Sequence, residues 1–177
     1  MHALRNLIIL TLLCLSAPLC LAVETVTLTE SWARATRPSG TVGAAYLTIT
    51  NSSAEDRAVV GGQAQGAGHI ELHTHLIEDD VMRMVEIPEI PLPAGASVIL
   101  KPGDLHIMLY DLEEALKIGA SFVLQLELDD GEQVETTVLV GSATSRDFAE
   151  AEEHANDAKR HDDAAEETAG DCCGAGS

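Results

Sequence analysis

Between Glu24 and Gly141 apolar and polar positions alternate in short runs separated by turn residues, a period-two pattern that predicts β-strands. Val26-Thr27-Leu28-Thr29 alternates, and Trp32-Ala33-Arg34-Ala35-Thr36 reads as a second, edge segment before the turn Arg37-Pro38-Ser39-Gly40. Val42 to Ile49 forms a core strand stopped by Asn51-Ser52-Ser53, Arg57 to Val60 is a further short run, and Gly61 to Gly68 is a flexible link. Phe122 to Leu128 and Val134 to Val140 alternate around Asp129-Asp130-Gly131, a hairpin signal. Leu112 to Leu116 fits one helical turn. Eight or nine short strands at this spacing predict an all-β fold, an antiparallel β-sandwich or barrel.

The pattern breaks at both ends. Met1 to Asn6 carries Arg5, Leu7 to Leu19 is apolar, and Cys20-Leu21-Ala22 offers a small-residue cleavage site before Val23, so residues 1–22 read as a signal peptide. The apolar run is too short, and interrupted by Pro18, for a membrane span. Ala17-Pro18-Leu19 departs from a lipobox before Cys20, which predicts export in solution with no membrane insertion after cleavage. Residues 23–141 form the folded domain. Residues 142–177 are acidic and Ala-rich with almost no large apolar side chain after Phe148, so they read as a tail that cannot bury a core, disordered or partly helical between Phe148 and Glu167.

Chemistry concentrates between His73 and Met108. Three pairs of soft or borderline ligands occur there at i, i+2 spacing: His73 with His75, Met82 with Met84, and His106 with Met108. In a strand each pair projects from one face. The acidic break Glu78-Asp79-Asp80 predicts a hairpin; with Glu78-Asp79 as the loop, His73 falls opposite Met84 and His75 opposite Met82. Thioether and imidazole without thiolate or carboxylate select Cu(I) over zinc, calcium or magnesium. A single Met or His has an ordinary structural explanation, as core filler or a hydrogen-bonded ring; three pairs on adjacent segments favour a metal.

The spacing of His73, ten residues, Met84, twenty-one residues, then His106-Ile107-Met108 resembles that of the PCuAC family of periplasmic copper chaperones. Trp32-Ala33-Arg34-Ala35-Thr36, Ala45 to Asn51, Glu71-Leu72-His73, Val81-Met82-Arg83-Met84, Ile90 to Gly95 and Leu100-Lys101-Pro102-Gly103 are similar to it as well. The resemblance covers Glu24 to Gly141. It implies a Greek-key, cupredoxin-like fold, the ligand set His73, Met84, His106 and Met108, and delivery of copper to cytochrome c oxidase assembly, directly or through a thiol-based copper protein. Many family members carry Met at the position of His75.

Charge and cysteine usage narrow the function further. The chain of 177 residues has a net charge of −19, and loss of Arg5 with the leader gives −20, a surface that repels nucleic acid and anionic lipid. Cleavage removes Cys14 and Cys20 and leaves only Cys172 and Cys173, at the far end of the tail, so the domain has no thiolate for a blue-copper centre and no structural disulfide. No catalytic triad, P-loop or zinc-protease motif is present, which argues against an enzyme. The expected function is a periplasmic Cu(I) metallochaperone with an apo-copper acceptor protein as partner. The alternatives are a copper scavenging or storage protein for tolerance and a metal-free structural sandwich. His75, Met82, His154, His161, Cys172 and Cys173 are additional metal candidates, and Cu(II) is expected to bind through His73, His75 or His106, with His154 or His161 of the tail able to fold over it. For the tail itself a solvated acidic segment is the simpler reading. His69 and Glu71 share the face of His73 and are expected at the rim of the site.

Overall fold

The structure, a computed structural model, describes residues 25–78 and 81–169. The leader, with Cys14 and Cys20, and the end of the tail, with Cys172 and Cys173, lie outside the described residues. Ten strands are present among the described residues: β1 (Val26–Arg34), β2 (Gly43–Asn51), β3 (Arg57–Ala64), β4 (His69–Glu78), β5 (Val81–Glu86), β6 (Ile90–Leu92), β7 (Ser97–Ile99), β8 (His106–Tyr110), β9 (Ser121–Leu128) and β10 (Gln133–Gly141). One helix follows, α1 (Phe148–Ala169).

Hydrogen bonding links the strands in the order β5-β4-β8-β2-β1-β10-β9-β3-β6, with β7 pairing on β2. Every pairing is antiparallel except β1 with β10. The sheet curls until β3 packs near β4 and β6 near β2, which encloses Leu47, Ile49, Val59, Ile90, Leu92, Ile107, Leu109, Leu124, Leu126 and Val138 in one apolar core. This is the all-β architecture that the strand pattern predicts, in the cupredoxin-like form that the family resemblance implies.

Several local expectations are corrected. Trp32 to Arg34 is no separate edge segment: it is the second half of β1, which lies centrally between β2 and β10. A bulge makes one strand look like two. The register shifts between Thr29 and Trp32, and Glu30 takes φ 51°, so the inward set changes from Val26 and Leu28 to Ala33 and Ala35. Trp32 is thereby turned to the outer face. The presumed link at Gly61 to Gly68 belongs in part to β3, which runs to Ala64; Gly62 is required there, since a Cβ would lie 2.2 Å from the Gln125 carbonyl oxygen. Leu112 to Leu116 forms no helical turn.

The segment after Gly141 also buries more than its composition predicts. Asp147 caps α1 by accepting a hydrogen bond from the Glu150 amide at 3.0 Å, and Glu150 reaches back to accept from the Arg146 amide at 3.0 Å, a close relative of the capping box. Ala151 and Ala155 are fully buried. The first turns pack on a second apolar cluster, in which Trp32 stacks on Tyr46 with ring centroids 4.6 Å apart and Ala44 and Phe148 flank them. Small side chains let the helix approach closely. Large apolar residues are unnecessary because the sheet supplies the aromatic half of the contact.

Candidate metal centre

The alternation of β8 puts Ile107 and Leu109 in the core and His106, Met108 and Tyr110 on the outer face. β4 lies beside it, with His73 opposite His106 and Glu71 opposite Met108. On the other side of β4, His75 is opposite Met84, Ile77 opposite Met82 and Glu78 opposite Val81. The expected pairing of His73 with Met84 and His75 with Met82 is therefore corrected: the register is shifted by two residues, with β4 paired as far as Glu78 opposite Val81. All three pairs still share one face, since the shift is an even number of residues.

Length of side chain restores what the register shift takes away. Met84 reaches over β4 and places its Sδ 3.2 Å from His106 Nε2. The Nδ1–H of His106 donates to the Asp104 carbonyl oxygen at 2.8 Å; a carbonyl only accepts, so this fixes the tautomer and leaves the Nε2 lone pair facing the sulfur. Burial holds the His106 pKa below its ordinary value, partly offset by the Asp104 carbonyl, so the ring is neutral at pH 7. Two lone-pair donors facing one another cannot bond each other. Metal–nitrogen and metal–sulfur bonds of about 2.0 and 2.3 Å would separate such a pair by roughly 3.1–3.6 Å, close to the distance found.

His73 is arranged in a similar way through different partners. It is 6% exposed, and its Nε2–H donates to Glu71 Oε2 at 2.8 Å. The hydrogen bond from His73 holds the Glu71 carboxyl below the usual carboxylate range, so Glu71 is ionised and acts as the acceptor. That leaves His73 Nδ1 buried with no hydrogen-bond partner among the described residues. A buried nitrogen without a partner costs about 1–3 kcal/mol, and a ligand would remove that cost. The rings of His73 and His106 have centroids 5.8 Å apart.

The remaining candidates divide by position. Met108 is half-buried on the same face, between Ala44 of β2 and Glu71 of β4. Met82 is one ladder step further out and 59% exposed. His75 lies against His106 with ring centroids 5.1 Å apart. His154 does not fold over this face: its Nδ1 lies 3.1 Å from the hydroxyl of Ser145, itself fully buried. His161 is exposed on α1. His69 stacks on Tyr110 at 5.0 Å with its Nδ1 3.4 Å from Asp111. Among the described residues no three His, Cys, Asp or Glu side chains already converge as a metal cluster; the close donor pair on this face is His106 with Met84.

Sequence reasoning overlooked Asp104 and Tyr110. Tyr110 hydrogen-bonds Glu71, and its hydroxyl pKa is pushed up by burial and then by the Glu71 charge. Tyr110 was detectable in principle, because it continues the alternation of His106 and Met108, whereas Asp104 acts through its backbone carbonyl, which no side-chain pattern marks.

Residues 26–140 match the LpqE-like lipoprotein family. The chain belongs to that family. An LpqE-like domain of this kind is 32% identical over 117 residues to the uncharacterized protein RP573 of Rickettsia prowazekii, covering 64% of this chain and 65% of the relative. Solved structures with the same fold include the apo PCuAC domain of PmoF2, at TM-score 0.58 and 20% identity over 71% of this chain and 97% of that domain. The Cu(I) form of DR1885 from Deinococcus radiodurans superposes with TM-score 0.53 and 26% identity, over 72% of this chain and 84% of that one. The LpqE-like domain is thus of the PCuAC type, as its sequence resemblance implied. No described helix is long and apolar enough to cross a membrane.

Proposed function

We propose that this domain is a periplasmic copper(I) carrier that binds one Cu(I) through His73, Met84, His106 and Met108 and hands it to an acceptor protein. The observation that carries this reading is the arrangement of the two imidazoles. Each has one nitrogen tied by a fixed acceptor, Glu71 or the Asp104 carbonyl, and the other left free, next to sulfur in the case of His106. Metal-binding histidines are oriented in this way. Thioether and neutral imidazole are soft or borderline donors that suit Cu(I), and DR1885, of the same fold, has been solved with Cu(I).

Carriage rather than electron transfer follows from the ligand set. A domain without thiolate lacks the donor that lets blue-copper sites serve both oxidation states. An acceptor offering cysteine thiolates supplies charge and softness that thioethers cannot match, so transfer to it is downhill. The acceptor we favour is the copper centre of cytochrome c oxidase, reached directly or through a thiol-based copper protein. The family's lipoprotein description supports export, with acylation of Cys20 as the alternative to cleavage after Ala22; the intact mass of the exported protein separates the two. A storage role would need the tail histidines as ligands, and His154 is instead bonded to Ser145.

The decisive experiment is titration with Cu(I) against bicinchoninate, followed by mixing with a reduced apo-oxidase copper domain. One equivalent bound through sulfur and nitrogen, then passed on without net oxidation, is the expected result. X-ray absorption with only nitrogen and oxygen neighbours would overturn the site, and retention of copper in the presence of the acceptor would overturn delivery.

A further inference from the structure

We infer that the same face offers a second coordination mode, in which His73, His75 and His106 hold Cu(II) through three imidazoles, independently of the helix. This rests on the reading of the face as a copper site and extends it to the oxidised ion. Cu(II) prefers imidazole nitrogen to thioether, so a face that binds it well needs more nitrogen than two rings supply. His75 is the donor in a position to provide it.

Placement supports the assignment. His75 precedes the hairpin on β4, directly opposite Met84 and two residues from His73, so its side chain leaves the sheet on the ligand side. Its ring lies against His106 at a tilt of only 26°, and its Nδ1 is 3.4 Å from the same Asp104 carbonyl oxygen that accepts from His106. With Nδ1 directed to that carbonyl, His75 Nε2 is the free nitrogen, as in His106. Metal–nitrogen bonds of about 2.0 Å put the centroids of two rings on one ion roughly 4.5–6.4 Å apart, from right-angled to opposed. The observed separations from His106, 5.1 Å for His75 and 5.8 Å for His73, both fall in that window. The donors do not converge while His75 lies flat on its neighbour. His75 is only partly buried, so its side chain is free to rotate toward the other two rings.

The helix histidines are not needed. His154 is engaged with Ser145, and the first turns of α1 cover Trp32 and Tyr46, toward the β1 side of the sheet rather than over the β4–β5 hairpin. This departs from the expectation that the tail closes over the metal.

The test compares the full chain with His75→Met and with a His154→Ala/His161→Ala double variant, each freed of metal and loaded with one equivalent of Cu(II). Electron paramagnetic resonance of the parent should show coupling to three imidazole nitrogens. His75→Met should lose one of them and weaken Cu(II) binding by roughly tenfold or more, while Cu(I) competition against bicinchoninate stays unchanged. The double variant should match the parent. Cu(II) spectra insensitive to His75→Met, or altered in the double variant, would overturn the inference while leaving the Cu(I) reading intact. Failure of the parent to bind Cu(I) is a different result, which removes the carrier proposal. Circular dichroism of each variant establishes that the fold is retained.

Discussion

Met84 and His106 are 22 residues apart and sit on strands separated by β4, yet sulfur and Nε2 approach to 3.2 Å. Met82, two residues earlier on the same face, lies opposite Ile77 at the turn end of the hairpin. Met84→Leu should therefore weaken Cu(I) binding by at least an order of magnitude, comparable to Met108→Leu, whereas Met82→Leu should change it little. Leu and Met are close in volume, so the melting temperature should scarcely move in any of them. Equal losses at positions 82 and 84 in a bicinchoninate competition would show that the hairpin register is wrong.

Glu71 is the tether of His73. Glu71→Gln keeps a hydrogen-bond acceptor but loses the charge that holds the Nε2–H, and it can present its amide to the ring the wrong way round. Cu(I) affinity should fall roughly 10–100-fold, the usual cost of losing such a partner. Glu71→Asp, which keeps the charge but shortens the reach, should fall less if an intervening water restores the contact. A Glu71→Gln protein with parental affinity would show that the ring is oriented by packing alone.

Acid should act on His106 before it acts on the fold. Its folded pKa lies below the ordinary histidine value because of burial, so between the two values the unfolded chain binds the extra proton and stability rises with pH. The sign is that stability present above the unfolded value, about 6.5, is lost as pH falls through the folded one. Metal-free protein should thus melt at a lower temperature at pH 5 than at pH 7. The His106 Cε1–H resonance should titrate with a midpoint below that of an exposed histidine; a midpoint above it would contradict the burial argument.

Gly141 joins the sheet to the helix at very close range. A Cβ there would lie 2.5 Å from both Cα and Cβ of Ala151, so Gly141→Ala must push α1 off Trp32 and Tyr46. A cost of about 1–3 kcal/mol is expected for such overpacking. Trp32 is the only tryptophan in the chain and is 4% exposed, which makes its emission a clean reporter. A red shift with partial loss of helical ellipticity is the expected outcome; unchanged emission would mean that the helix is not seated there in solution.

The strand periodicity, the hairpin at Asp129-Asp130-Gly131 and the common face of the three ligand pairs were legible because they depend on local alternation, which a one-dimensional pattern records faithfully. The same holds for the family resemblance, carried by spacing along the chain. Register and partnership were not legible. A two-residue change in the β4–β5 register preserves every inward and outward position, so the hydrophobic pattern cannot distinguish His75 opposite Met84 from His75 opposite Met82. The bulge at Glu30 was hidden for a related reason, since one extra residue mimics a strand break. The docking of α1 on Trp32 and Tyr46 lay further beyond reach, because alanine-rich helices announce no partner until a facing surface supplies the large side chains. Sequence by itself determined which donors face outward together. Only tertiary structure decided which nitrogen of each histidine is free, because that depends on Glu71 and the Asp104 carbonyl being held at hydrogen-bonding distance by the pairing of β4 with β8.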